Sequence, residues 1–472
     1  MTGLIVAAVL VPVLSGLLVL IVGERWNWPR GIFAFLVTAT TLVLFGAAWA
    51  GLGSGVHRLW LVTIMRSTPE PLLLVDFAGV LLAVLFAFVW LVVTLYSLSY
   101  MKASQFQADY YGFLLLMLGT VVGVCQTDNL LLIYVFWELA ALATWRLVAF
   151  YRGDQEIGIA QMTLLVNFVG STLMLVGFAG IAQQYGTFSI GRLSGVGLSP
   201  VLSLLILAGM VTKSASLPMY IWLPDAHSAA PSPMSALLSG IVAKIGLVAY
   251  LRLFVQGHVL LPSWWPLLVA GLGVAGSLVA AGCALRETDY KRVLAFSTVS
   301  QLGYIFIGFA FATGFGLTAG FVYLAAHCLA KSGLFLSMGI VERATHTREM
   351  GAIRGLARAM PTVAAAVAVL MVSVIGLPPL LGFFGKLYVI IAAARENLLV
   401  AAGAVVAAVM TAIYMLRVFR MFLGEPRPAS PGRPDATMAL AVLVLAVVTL
   451  ALGLCYPFYG GALSSHLSGS MP

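Results

Sequence analysis

An all-α, multi-pass membrane protein of about fourteen transmembrane helices is the fold class that this sequence predicts, and three observations predict it. Apolar residues make up 62% of the 472 residues and charged residues only 9%, with a mean hydropathy of +1.06. A soluble domain is not built from that mixture. Apolar runs of about 20 residues, the length that crosses a bilayer as a helix, recur along the whole chain. Basic residues gather on one side of the resulting spans, as topology in a bilayer requires.

The runs fall at 3–23, 31–51, 73–100, 110–127, 129–151, 159–184, 200–221, 232–256, 263–285, 293–313, 315–341, 361–394, 398–422 and 436–458. The first lacks the positively charged start of a cleaved signal and reads as a spanning helix. The seventh and twelfth are unusual because each contains a Leu-Pro. Leu217-Pro218 interrupts the seventh, and Gly376-Leu377-Pro378-Pro379 sits near the middle of the twelfth, which is too long for one straight span. The expected organisation is a single bundle over 1–472. It consists of three N-terminal helices (1–100), a five-helix unit (110–256), a second five-helix unit (263–422) and a last helix (436–458).

With the N-terminus outside, sixteen of the 25 basic residues lie in inside loops and helix ends, from Arg25 and Arg30 to Arg427 and Arg433. Only Arg58, Arg66, Arg192, Arg252 and Arg395 lie outside. The asymmetry supports an even number of spans and places both termini outside. It also accounts for the net charge of +9 without nucleic acid. Four scattered cysteines with no C-x-x-C argue against an Fe–S cluster or zinc site in this chain, and no strand-linked glycine motif suggests a nucleotide.

Three pairs of features recur at nearly one offset. Gln126-Thr127-Asp128 matches Glu287-Thr288-Asp289, Leu217-Pro218 matches Leu377-Pro378, and Tyr250–Phe254 matches Met415–Phe419. A five-helix unit has odd parity, so a second copy crosses in the opposite sense. Two inverted five-helix repeats are therefore expected, and inverted repeats with broken helices are a recurring architecture of ion carriers.

Four lysines, Lys213, Lys244, Lys331 and Lys386, lie inside apolar runs, where an ammonium costs a few kcal/mol. Lys213 stands four residues before Leu217-Pro218, and a mid-helix proline frees a carbonyl that protein or water must satisfy. Buried lysines beside a broken helix point to an ion path; the alternative is a lysine snorkelling from a helix end. Glu138, about ten residues from either end of the fifth span, is costly unless paired or protonated. It is either a structural ion pair or the partner that biases the charge of Lys213. His327 and Lys331 are one turn apart on one helix face and suggest a hydrated relay. Lys386 follows the Gly-Leu-Pro-Pro break, where loosened backbone admits water. Asp225, His227, Asp289 and Lys291 read as caps and ion pairs of inside loops, with Pro224–His227 as a turn.

The stretches WELAALATW, TKSASLPMYIWLPDAHSAAPSPMSALLSGIVAKIG, ETDYKRVLAFSTVSQLGYI, AAHCLAKSGLFL and GLPPLLGFFGKLY together resemble the antiporter-like proton-translocating subunits of the complex I superfamily. These occur in NADH:quinone oxidoreductase, energy-converting membrane-bound [NiFe] hydrogenases and Mrp-type antiporters. The resemblance covers roughly residues 70–422. It implies a proton axis through Glu138, Lys213, Lys244 and Lys386, with His327 and Lys331 in the eleventh span. It further implies antiporter-like paralogues and peripheral redox subunits as partners, with Fe–S, flavin or NiFe centres held by those partners. A bacterial or archaeal cytoplasmic membrane is the expected location. The short tail after the last span differs from the largest family member, which has a long lateral helix. Three readings follow: a non-redox subunit of a redox-driven pump, an Mrp-type Na+/H+ antiporter subunit, and a structural scaffold.

Overall fold

At membrane depth there is no water to satisfy backbone N–H and C=O groups, so apolar runs fold as helices that pair their own backbone. The computed structural model describes residues 2–25, 29–52, 57–61, 70–425 and 432–469; Arg66 and Arg427, counted in the charge asymmetry, lie outside them. Helices α1 (Thr2–Val22) and α2 (Arg30–Ala50) are followed by a two-stranded antiparallel hairpin, β1 (His57–Leu61) and β2 (Glu70–Val75). Then come α3 (Phe77–Tyr100), α4 (Gln107–Cys125), α5 (Leu130–Val148) and α6 (Asp154–Tyr185). The seventh crossing is split into α7 (Pro200–Lys213) and α8 (Trp222–Ala229), and the eighth comprises α9 (Ser232–Gly240) and α10 (Ile245–Tyr250). The second unit contains α11 (Trp265–Arg286), α12 (Tyr290–Ala310) and α13 (Gly314–Thr345). After the short α14 (Leu356–Ala359), the twelfth crossing is split into α15 (Pro361–Ile375) and α16 (Leu381–Glu396). Helices α17 (Leu398–Phe419) and α18 (Ala436–Gly469) end the bundle.

Among the described residues, 12 helices are long and apolar enough to span. The two broken crossings bring the total to fourteen. The eighth crossing and α12 are enclosed on every side, whereas α1, α2, α6 and α17 present Leu and Val outward. A bundle with an enclosed centre is where charged side chains are tolerable.

Two expectations about these elements need correction. Leu73–Val75, assigned to the third span, belong to β2, and the helix starts at Phe77 because Asp76 caps it, accepting from Gly79 N–H at 2.9 Å. Pro224–His227 is not a turn; it lies within α8, and His227 is fully buried. The eighth crossing has no Leu-Pro, yet it is interrupted by a 3-10 turn at Val242–Lys244 and a π-helical turn at Leu251–Val255.

The repeat is written in backbone bonds that recur at a single offset. Leu130 N–H donates to Phe188 O (2.9 Å) and Tyr290 N–H to Arg348 O (3.2 Å). Ile190 N–H donates to Asp128 O (2.7 Å) and Met350 N–H to Thr288 O (3.0 Å). The side chain of Asn129 caps α5 and that of Asp289 caps α12. The register therefore equates Asn129, not Asp128, with Asp289, which shifts the first sequence match by one position.

Arg252 is 2% exposed and clamped on Asp76 at 2.7 and 2.8 Å. It also donates to Cys125 O, tying the hairpin, α3, α4 and the eighth crossing together. The clamp fits only because residue 79 is glycine. An added Cβ there would stand 2.0 Å from Arg252 Nη2 and 2.4 Å from Cys125 O. Gly79→Ala is expected to destabilise the protein by about 3–5 kcal/mol, the cost of prising apart a buried ion pair. Thermal melting of the purified protein checks this, and an unchanged midpoint would show that the clamp adjusts freely.

Candidate functional site

The two helix breaks resolve their freed carbonyls differently, and the lysines follow from that. In the seventh crossing Ser216 N–H reaches back to Val211 O (2.9 Å), and the indole N–H of Trp222 donates to Thr212 O at 3.0 Å. With that carbonyl already satisfied, Lys213 is left to the buried interior. Its ammonium lies 5.8 Å from the Trp137 ring centroid, within Coulombic reach of Glu138 on α5. Glu138 is half-buried and its Oε1 has no hydrogen-bond partner. In the twelfth crossing the lysine itself satisfies the break: Lys386 Nζ donates to Val374 O at 2.8 Å and Ile375 O at 3.2 Å.

Between these ends the enclosed helices carry the remaining lysines. Lys244, at the end of its 3-10 turn, donates to Ser239 O at 2.8 Å. Lys331 on α13 donates to Leu294 O at 2.9 Å. The hydroxyls of Ser239 and Thr298 are 2.6 Å apart, and Thr298 also donates to Leu294 O at 3.0 Å. Lys244 and Lys331 are thus linked through three residues, Ser239 of α9 and Thr298 and Leu294 of α12, with Thr298 and Lys331 sharing the Leu294 carbonyl. By the register of the repeat Thr298 corresponds to Glu138, so the second unit has a hydroxyl where the first has a carboxylate. His327, one turn from Lys331, is 2% exposed and neither ring nitrogen has a partner.

Lys386 faces the protein interior, not lipid, with its ammonium 4.8 Å from the Tyr304 ring centroid and 5.5 Å from that of Tyr323. Tyr323 donates to Gln301 Oε1. Gln301 Nε2 donates to Thr411 Oγ1 (3.0 Å) and to the Tyr414 hydroxyl (2.8 Å), which also accepts from Ser297 at 3.0 Å. A polar network shared by α12, α13 and α17 therefore begins at the Tyr323 side chain beside Lys386.

Sequence reasoning missed these connecting groups, since a lone Ser, Thr, Gln or Tyr in a span carries little signal. It also missed His227. That ring stacks on Phe335 at 4.4 Å with both nitrogens unpartnered, within Coulombic reach of Lys291 and Lys331. Lys291 is no loop residue either: it is 2% exposed, donates to Ala230 O at 2.8 Å and lies 4.0 Å from Glu342.

A bundle of fourteen crossings with two broken helices and a buried row of lysines defines the antiporter-like class of membrane subunit. The chain belongs to the family described as NADH:quinone oxidoreductase/Mrp antiporter, TM, whose profile matches residues 127–411. It is 33% identical over 429 residues to the A subunit of the Na(+)/H(+) antiporter of Alkalihalophilus pseudofirmus, covering 83% of this chain and 52% of that protein. It is 31% identical over 401 residues to NADH-quinone oxidoreductase subunit N of Desulforudis audaxviator, covering 79% and 80%. The chain thus spans about half the length of the antiporter relative and most of the oxidoreductase relative. One chain of the Mrp complex from Dietzia sp. superposes with a TM-score of 0.87 at 27% identity, covering 100% of this chain and 97% of that one.

Proposed function

We propose that this chain translocates protons as a non-redox membrane subunit of a redox-driven ion pump, through Glu138, Lys213, Lys244, His327, Lys331 and Lys386. The observation that carries this reading is the hydroxyl pair Ser239–Thr298 between Lys244, which donates to Ser239 O, and Lys331, which shares the Leu294 carbonyl with Thr298. A carbonyl accepts but cannot pass a proton on, whereas a hydroxyl both accepts and donates. Each lysine anchors beside the hydroxyl pair, so a small rotation of either ammonium brings it onto a relay group. Four buried lysines, each costly to insert, are more than a scaffold needs. Electrons would be handled by partner subunits carrying Fe–S, flavin or NiFe centres. Antiporter-like paralogues would flank this chain in a bacterial or archaeal cytoplasmic membrane, with both termini outside.

In this scheme Glu138 governs the charge of Lys213: a nearby carboxylate holds the ammonium protonated, and its withdrawal lets the proton leave. Glu138→Gln keeps the shape and removes the charge. The buried Lys213 left without its carboxylate can shed its proton and become neutral instead of remaining a stranded charge, so turnover in sealed vesicles should drop several-fold while assembled protein stays near wild-type. Poor assembly combined with a normal rate per assembled complex would identify the residue as a structural pair and reject the switch.

A second reading, an Mrp-type Na+/H+ antiporter subunit, is favoured by the 33% identity to the A subunit of such an antiporter. Affinity purification separates the two. Fe–S or nickel proteins in the eluate support the redox-driven complex, and small hydrophobic partners alone support the antiporter.

A further inference from the structure

Arg252 and Arg417 occupy equivalent places in the two repeats. Arg252 donates to Cys125 O at the end of α4, and Arg417 donates to Leu285 O at the end of α11, the matching helix of the second unit. Their surroundings then diverge. Arg252 is neutralised by Asp76, a residue preceding the first repeat. Arg417 has backbone partners, Leu285 O and Glu287 O (3.0 Å). Among the described residues no carboxylate lies within 4.0 Å of it, nor of Arg354 or Arg420.

These three arginines line one cleft of about 530 Å³ at the end of the bundle, between the turn at Met350–Ala352 and the end of α17. Gly355 N–H donates to Leu423 O at 2.9 Å, so backbone joins the two walls. Arg354 and Arg420 are exposed. The remaining wall is apolar: Ile353 is buried, and Leu423 is 53% exposed. Glu349 stands at the margin, its Oε1 3.6 Å from where a Cβ on Gly351 would be.

We propose that this cleft binds the phosphate headgroup of an anionic membrane phospholipid, which supplies to Arg417 the charge that Asp76 supplies to Arg252. Guanidinium forks match phosphate oxygens in geometry and charge. Basic pockets between transmembrane helices at the membrane surface are suited to lipid headgroups. An acidic segment of a neighbouring subunit would satisfy the arginines equally, but the apolar wall beside them is suited to an amphiphile.

The test is native mass spectrometry of the purified full-length protein in neutral detergent with equal amounts of phosphatidylglycerol and phosphatidylcholine. The wild type should retain phosphatidylglycerol with a preference of about fivefold or more, the scale of one basic contact at a membrane surface. Arg354→Gln with Arg420→Gln should abolish the preference, while Arg395→Gln, outside the cleft, should preserve it. Gly351→Phe keeps all three arginines and narrows the cleft, so it should also lose the preference. It carries the test should the double variant fail to fold. Equal retention of both lipids by the wild type would overturn the proposal in favour of a protein segment. Displacement by millimolar inorganic phosphate would overturn it in favour of a free-anion site, and an unchanged preference in Gly351→Phe would overturn the cleft as its location.

Discussion

Lys213→Met is expected to abolish proton translocation, with a loss of at least about tenfold, while insertion and assembly persist. Methionine has nearly the length of lysine and fills the same space beside Trp137. Removing an ammonium from a fully buried site also removes its desolvation cost, so the fold has no reason to suffer. Thr212 O keeps its bond from the Trp222 indole whether or not residue 213 is charged. What disappears is the titratable group that the seventh crossing presents to Glu138. Proton uptake by sealed vesicles, with assembled protein quantified in parallel, measures the effect. Transport at the wild-type rate would remove Lys213 from the path.

The two helix breaks were legible in the sequence because proline and glycine act on the backbone locally, and Leu217-Pro218 and Gly376–Pro379 leave little else to do there. The buried lysines were legible for the opposite reason: a charge in an apolar run is conspicuous. The first match of the repeat was legible to within one position, and the slip arose because Asp128 looks like a cap while Asn129 does the capping. What was not legible depends on distant partners. The ion pair of Arg252 was hidden because nothing nearby in sequence shows that Asp76, 176 residues earlier, folds against it. His227 looked like part of a turn because Pro224 and Asp225 favour turns, yet both suit the first turn of a helix equally well. The break at Val242–Lys244 has no proline. It follows a tight approach at Gly240, where a Cβ would stand 2.0 Å from Ser332 Oγ on α13.

Lys386 does two jobs that three substitutions pull apart. Its ammonium satisfies Val374 O and Ile375 O, the carbonyls exposed by the break, and in the proposed path it is a titratable group of the second repeat. Lys386→Ala removes both. Two buried carbonyls without donors cost about 1–3 kcal/mol each, so the melting temperature should fall along with transport. Lys386→Arg keeps donors within reach of the carbonyls but cannot give up a proton; it should melt near the wild-type temperature and still fail to transport. Lys386→Glu stands between them, because a protonated carboxyl can donate to one carbonyl and still titrate, which leaves partial transport. The three variants share every other residue, including the neighbours Tyr304 and Tyr323, so they differ at position 386 alone. The comparison to make is melting temperature against vesicle proton transport for the three proteins. Full transport by Lys386→Arg would show that the residue holds the broken helix together and passes no proton.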